Sequence, residues 1–207
     1  MIILIFLIVL FSLSVHEFAH GWSALMMGDP TAKEQGRLTL NPLKHIDPFG
    51  TILLPLLLLA VSYLSGGHVP VFGYAKPVPV NHHRFRRQKI GLAVVSSAGP
   101  LSNLGLAFLS VLFLVFFHPA DQWEIVFMHI FNLNWLLAIF NLLPIPPLDG
   151  SRIVSGLLPR EVAERYNRLA GVGFILIILL LQTRFIDWLY FKSLEWLSFL
   201  IQALVRH

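Results

Sequence analysis

The sequence predicts an all-α polytopic membrane protein with about five or six transmembrane or interfacial helices, and three observations carry that prediction. Apolar residues make up 56% of the 207-residue chain and Asp, Glu, Lys and Arg together only 13%, about half the usual charged share of ~25%. The mean hydropathy is +0.73, which is more apolar surface than a water-soluble core can hide behind so few charges. The apolar residues are also gathered into runs, several of them long enough for the roughly 20-residue helix that crosses a hydrocarbon core of ~30 Å. A net charge of +4 and an isoelectric point near 9.7 would suit a nucleic-acid partner. The basic residues, however, lie in short loops between the apolar runs, as topology signals do, so nucleic acid is set aside. With no cysteine in the chain, disulfides, cysteine-zinc sites and a thiol nucleophile are excluded. Any metal is left to His, Asp and Glu.

The elements follow in order. Residues 1–27 carry only His16, Glu17 and His20 as ionisable side chains. No basic residue precedes this run and no small-residue cleavage site follows it, so it reads as a retained helix rather than a signal peptide. Residues 49–64 are free of charge but short. Residues 90–117 contain no Asp, Glu, Lys or Arg, and residues 125–148 contain only His129 before Asp149. Residues 169–183 are apolar but short, flanked by Arg168 and Arg184, whose stems can reach along apolar surface to an interface. Residues 187–207 are rich in Trp and Leu, with Lys192, Glu195, Gln202 and Arg206 at steps of three, seven and four residues. That pattern fits an interfacial helix or a last span packed on the bundle, and both readings stand. There is no internal repeat and no low-complexity tract.

Chemistry concentrates in the first helix. His16-Glu17-Phe18-Ala19-His20 is a His-Glu-x-x-His motif, and a four-residue step is about one helical turn, so both imidazoles face the same way. Two neutral imidazoles so placed can chelate one zinc, with Glu17 next to the first as general base toward an activated water. On the surface of a soluble helix, chance explains the motif as readily as metal binding does. Inside a membrane a carboxylate costs several kcal/mol unless it faces a polar cavity, and such residues are functional by default.

A catalytic zinc takes three protein ligands and keeps one position open. The third must come from elsewhere in the chain, and Asp149, in Asn141-Leu142-Leu143-Pro144-Ile145-Pro146-Pro147-Leu148-Asp149-Gly150, is the natural candidate because intramembrane acids are so few. Asp149-Gly150 also suits a plain turn out of the membrane. His129, His68, His82, His83 and His45 are the alternatives. The paired His82 and His83 sit in a basic loop and look solvated, and His129 looks like a satisfied bundle histidine.

The chain resembles the site-2 protease family of intramembrane zinc metalloproteases. The resemblance rests on His16-Glu17-x-x-His20 in one apolar helix, Asn141-x-x-Pro144-x-Pro146-x-Leu148-Asp149-Gly150 after another, and Ala98-Gly99-Pro100-x-x-Asn103 between them. Residues 28–50 and the run Lys76-Pro77-Val78-Pro79-Val80-Asn81 are similar to the compact bacterial members without PDZ or CBS domains. The likeness covers most of residues 14–150. It implies one zinc per chain held by His16, His20 and Asp149, water activation by Glu17, and Asn141 as a hydrogen-bond donor to the substrate carbonyl as that oxygen becomes negative. Asn103, Asn132 and Asn134 are expected instead to bond helix to helix. One membrane-embedded domain over residues 1–207 is expected, with a catalytic core at 1–158 and C-terminal helices at 159–207.

Topology gives an independent constraint. If His16 and Asp149 share one metal, an even number of crossings must separate them, yet three apolar segments lie between. The conflict disappears if residues 49–64 dip in as a helix and the Gly/Pro-rich residues 66–80 bring the chain back as a re-entrant extended segment, which is allowed at depth only where protein or a cavity shields it. Lys33, Arg37 and Lys44 then share a side with Arg84, Arg86, Arg87 and Lys89, joined by Arg152, Arg160, Arg165 and Arg168, while the turn near Pro119 lies opposite. By the positive-inside rule the basic side is cytoplasmic. Residues 36–40 alternate like a short strand and, with residues 69–80, would offer an edge to an unwound substrate.

The function expected is a zinc-dependent metalloendopeptidase of the cell membrane, in bacteria the inner one, that cuts a substrate transmembrane helix near its cytoplasmic end. Its partners are then a transmembrane protein or peptide and the lipid bilayer. A membrane zinc transporter and a catalytically inactive scaffold that binds membrane helices are the rivals from other classes. A transporter calls for a chain of ionisable sites along a pathway, and a scaffold has no need of Glu17.

Overall fold

The computed structural model describes residues 2–67, 71 and 73–205; His68, one of the alternative ligands, lies outside them, as does Val69. Among the described residues there are nine α-helices: α1 Ile2–Met27, α2 Thr31–Glu34, α3 Leu54–Ser65, α4 Gln88–Phe117, α5 Asp121–Asn141, α6 Asp149–Leu157, α7 Arg160–Asn167, α8 Ala170–Leu181 and α9 Phe185–Val205. Four stretches are long and apolar enough to cross a membrane: α1, the run Pro48–Ser65 that ends in α3, α4 and α5. At 1.5 Å per residue α4 extends about 45 Å and α5 about 32 Å. Residues 169–183, expected as a short span, form only the 12-residue α8, about 18 Å long and too short to cross by itself. α9 follows α8 after a bend of 82° and packs on α5, where Trp135 Nε1 donates to Ser193 Oγ at 2.8 Å and Tyr190 donates to Asn132 Oδ1 at 2.5 Å.

The interior is small and polar and the outside is large and apolar. Ser12, Ser14, Ala24, Ser96, Gly99, Asn103, Ala107, Ser110, Asn134 and Ala138 are buried between α1, α4 and α5, whereas Phe11, Leu101, Phe108, Leu109, Phe116 and Trp123 are exposed. Lipid is as apolar as a leucine, so burying large apolar side chains gains little there. Helices meet through small residues and hydrogen bonds instead. Gly99 shows the consequence most sharply: a Cβ on it would lie 2.6 Å from both Cε1 and Nε2 of His16, and it would also press on His20.

Between α1 and α4 the chain makes one excursion and returns. Asp47 starts it, accepting hydrogen bonds from the Phe49 and Gly50 N–H groups with Pro48 at the first helical position, a favoured N-terminal arrangement. α3 ends at Gly66 in the left-handed conformation, φ +63°, where a glycine bears no Cβ penalty. Residues 73–81 come back extended beside the start of the same excursion: Tyr74 N–H donates to Gly50 O at 3.1 Å, Thr51 Oγ1 to Tyr74 O at 2.8 Å, and Lys76 N–H to His45 O at 2.9 Å. Asn81 N–H then donates to the fully buried Asp29 at 2.6 Å, and Arg86 N–H to Met27 O at 3.0 Å. The excursion therefore enters and leaves at one level, the re-entrant arrangement that the crossing argument requires.

The strand expected at residues 36–40 does not form, and the described residues contain no β-strand. The physical reason is on both partners. Arg37 N–H bonds locally to Ala32 O at 2.8 Å, and across the gap Pro77 and Pro79 have no N–H to give to a ladder. What joins the two segments is a side chain, Arg37 Nη2 donating to Lys76 O at 2.9 Å.

Two outcomes are expected. In sealed vesicles of this cysteine-free protein, Gln35→Cys and His83→Cys should react with an impermeant maleimide from one face and Ala120→Cys from the other; labelling of 35 and 83 from opposite faces contradicts the re-entrant path. Gly99→Ala should cost about 1–3 kcal/mol by overpacking, read as a lowered Tm in micelles, while Gly105→Ala on the same helix, where a Cβ meets nothing within 4 Å, should not.

Candidate metal centre

α1 sets the first two groups. Ser12, His16 and His20 recur every four residues along one face of the helix, and all three are buried. Behind them each imidazole is held through Nδ1: His20 Nδ1–H donates to the backbone carbonyl of Val95 at 2.7 Å, and His16 Nδ1 lies 2.6 Å from Asn103 Oδ1. Both partners belong to α4. The Nε2 atoms are left facing inward, 3.0 Å from one another, with the rings at 83°.

The third group arrives from the far side of the sequence. α5 stops at Asn141, a tight turn follows, with a cis Pro146–Pro147 peptide, and α6 starts at Asp149. A Cβ on Gly150 would collide with the carbonyl of Leu142, so a glycine is what lets the first turn of α6 dock against the end of α5. That docking points the Asp149 carboxylate at the histidines, with Oδ2 3.1 Å from His16 Nε2 and 3.2 Å from His20 Nε2. Among the described residues, His16, His20 and Asp149 form the one group of three His, Asp or Glu side chains able to hold a metal together.

These residues fit a zinc ion. A carbonyl only accepts hydrogen bonds, so the proton of neutral His20 sits on Nδ1 and its Nε2 turns a bare lone pair toward a carboxylate oxygen and a second ring nitrogen. Lone pairs so gathered call for a cation. Their separations of 3.0–3.2 Å are close to the edge of about 3.3 Å for a tetrahedron with bonds of ~2.0 Å, and an N, N, O donor set is one that zinc takes.

Glu17 sits one residue along α1, where its Oε2 accepts the N–H of Val78 at 2.7 Å, so the returning extended segment lies directly against it. Asn141 Nδ2 donates to Leu137 O, one turn back on its own helix, at 3.0 Å. The other histidines lie elsewhere. His129 Nδ1 bonds to Ile125 O at 2.7 Å on its own helix, and His45 is buried with Nε2 on Thr39 O at 2.8 Å. His82 and His83 stack on each other with centroids 4.1 Å apart. Partial burial, His83 and Arg152 push the His82 pKa below its ordinary value.

Asn103 and Asn134 do bond helix to helix as expected, Asn103 Nδ2 donating to Asn134 Oδ1 at 2.8 Å. The further contact of Asn103 with His16 was not foreseen, nor were the grip of Val78 on Glu17 and the anchoring of the extended segment by Asp29. An asparagine inside an apolar helix is a signal for a polar partner without saying which. A backbone N–H carries no signal at all.

Comparison with known proteins identifies the family. The model of peptidase family M50 matches residues 118–181, the stretch that holds Asn141 and Asp149. The Bacillus subtilis protein named "Putative zinc metalloprotease YwhC" is 42% identical over 184 residues, covering 83% of this chain and 77% of that one. "Putative zinc metalloprotease Rip2" of Mycolicibacterium smegmatis is 35% identical over 193 residues, 90% of this chain and 70% of its own. Its namesake in Mycobacterium tuberculosis H37Rv is 32% identical over 197 residues, 91% and 70%. No solved structure matches at a significant level. With its membrane-crossing helices and its group of two histidines and an aspartate, the chain belongs to peptidase family M50, the site-2 protease family, and is a multi-pass membrane zinc metalloendopeptidase.

Proposed function

We propose that the protein is an intramembrane endopeptidase that cuts a substrate transmembrane helix near its cytoplasmic end, with His16, His20 and Asp149 holding one zinc and Glu17 as the general base. The observation that carries the reading is the meeting of His16 Nε2, His20 Nε2 and Asp149 Oδ2 within 3.0–3.2 Å beside a carboxylate, inside a bundle whose outer surface is apolar. Zinc held there supplies Lewis acidity toward water and toward the scissile carbonyl. Glu17 takes a proton from the attacking water and hands it to the amine nitrogen that leaves, so the carboxylate is regenerated in each turnover. Asn141 has a second amide hydrogen beyond the one given to Leu137, and it donates this to the carbonyl oxygen as negative charge gathers there.

A helical substrate has its peptide groups paired and shielded, so it must unwind locally before it can be cut. Residues 73–81, extended next to Glu17, border the place where an unwound strand would lie. His16 lies about 21 Å along α1 from its start. With the basic loops on the cytoplasmic side, the site opens toward the cytoplasm and the amino terminus faces outward. All of these groups lie within residues 1–158, which we assign as the catalytic core of a single membrane domain, with α7, α8 and α9 as its C-terminal helices.

The experiment is the zinc content of micelle-purified protein with, in parallel, cleavage of a panel of single-span membrane helices. Wild type should carry about one zinc per chain and Asp149→Ala almost none. Glu17→Gln should keep the metal while losing at least about a hundredfold in proteolysis, as loss of a general base does. Full zinc in Asp149→Ala, or full proteolysis in Glu17→Gln, would falsify the assignment.

A further inference from the structure

We infer that Asn103 and Asn134 are positioning residues that, with Ser12, fix which nitrogen of His16 carries the proton, and so keep its Nε2 available to the metal. The inference rests on the reading of His16 as a ligand and goes beyond it. The chain of bonds runs from His16 Nδ1 to Asn103 Oδ1 at 2.6 Å, from Asn103 Nδ2 to Asn134 Oδ1 at 2.8 Å, and from Asn134 Nδ2 both to Ser12 Oγ and to Ile130 O, each at 2.9 Å. Asn103 and Asn134 have no exposed surface and Ser12 has 1%. No water reaches in to rearrange the bonds.

Nothing in His16 itself, nor in Asn103 alone, puts the proton on Nδ1. An imidazole nitrogen can give or accept, and a carboxamide can rotate to present either its oxygen or its NH2. The direction is set at the far end. The Ile130 carbonyl belongs to the α5 backbone and can only accept, so the Asn134 atom beside it is the NH2 group. The Asn134 oxygen therefore faces Asn103, which must answer with its own NH2. The Asn103 oxygen is then what faces His16, and it requires a proton on Nδ1. An α5 backbone carbonyl thus leaves the His16 Nε2 lone pair free, through two amides and across three helices. His20 needs no such relay because its Nδ1 meets the Val95 carbonyl directly. Ser12 closes the circuit, lying one turn before His16 on α1 while its hydroxyl accepts from α5. An imidazole left to itself favours the opposite tautomer, with the proton on Nε2, where it blocks the metal.

The test uses zinc affinity of the full-length chain in micelles, measured by competition with a chelating dye, together with Tm. Asn134 touches neither His16 nor Asp149, yet Asn134→Leu should weaken zinc by about tenfold or more, the usual effect of losing a partner behind a ligand, because Asn103 is then free to rotate. Asn103→Leu should do at least as much. Asn103→Asp should hold zinc more tightly than Asn103→Leu, since a carboxylate accepts from His16 through either oxygen and cannot be turned the wrong way, even though its second oxygen then meets the Asn134 oxygen. The double variant Asn103→Asp/Asn134→Leu, in which no Asn134 oxygen opposes the carboxylate, should hold zinc at least as well as Asn103→Asp, although it carries the substitution that harms Asn134→Leu. A purely structural role predicts instead that the double variant is at least as impaired as Asn134→Leu. The inference is overturned if Asn134→Leu keeps wild-type affinity, or if the double variant falls with Asn103→Leu. If Asn134→Leu fails to fold, the comparison of Asn103→Asp with Asn103→Leu decides alone, equal affinity in the two being the overturning result. Asp149→Ala, run alongside, separates the cases: zinc retained in Asp149→Ala sinks the metal site itself, whereas zinc lost there but unchanged in Asn134→Leu sinks only the relay.

Discussion

A buried carboxylate needs partners, and the meeting of Asp149 with His16 and His20 is the contact on which the arrangement of α1, α4 and α6 depends. The three groups come from two helices, α1 and α6, separated by more than a hundred residues of chain, and each is held from behind by something rigid. His20 rests on an α4 carbonyl, His16 on an α4 side chain, and Asp149 on the first turn of α6. α4 is thus the wall against which both histidines are set. Its approach is possible because residue 99 has no side chain, and α6 reaches the same point because residue 150 has none.

The same constraint explains why the interior holds serines, asparagines and alanines where a soluble protein would hold leucines. Hydrocarbon outside removes most of the reward for burying large apolar groups, while the absence of water makes every unpaired polar group expensive. Ser12, Asn103 and Asn134 answer by pairing with one another and with His16, so three helices are joined by one polar circuit. Packing and chemistry therefore use the same atoms. An interior of this kind has little slack, because a bond broken in the circuit leaves a buried donor or acceptor with nothing to replace its partner.

The excursion between α1 and α4 meets a different demand. Its helix rises and its extended return lies against α1, where Val78 N–H takes the Glu17 carboxylate. Pro77 and Pro79 on either side have no N–H, so the one amide available at that point of the strap goes to the proposed general base. Asp29, without exposed surface, ties the end of the strap through Asn81 N–H while also accepting from Thr31 N–H and the Thr31 hydroxyl. The segment is irregular yet tied to its neighbours near both ends, at Tyr74 and at Asn81.

By itself the sequence determined the class of the protein, the four runs long and apolar enough to cross a membrane, and the placing of His16 and His20 on one helix face. Composition is a bulk property that a bilayer reads directly, and four-residue spacing on a helix puts His16 and His20 on one face before any folding is known. Rarity did the rest: with so few acids inside apolar runs, Asp149 stood out, and the parity of crossings demanded the re-entrant return that the structure contains. What only the tertiary structure decided is whatever depends on backbone groups and on direction. The sequence could name Asn103 and Asn134 as polar residues in apolar helices, but their partners follow from how α1, α4 and α5 are rotated against one another. It could not show that Val78 N–H meets Glu17, that residues 36–40 lack a ladder partner, or that residues 169–183 stop after 12 helical residues. Backbone donors are the same at every position of a sequence, so their pairing is settled only when the chain is folded.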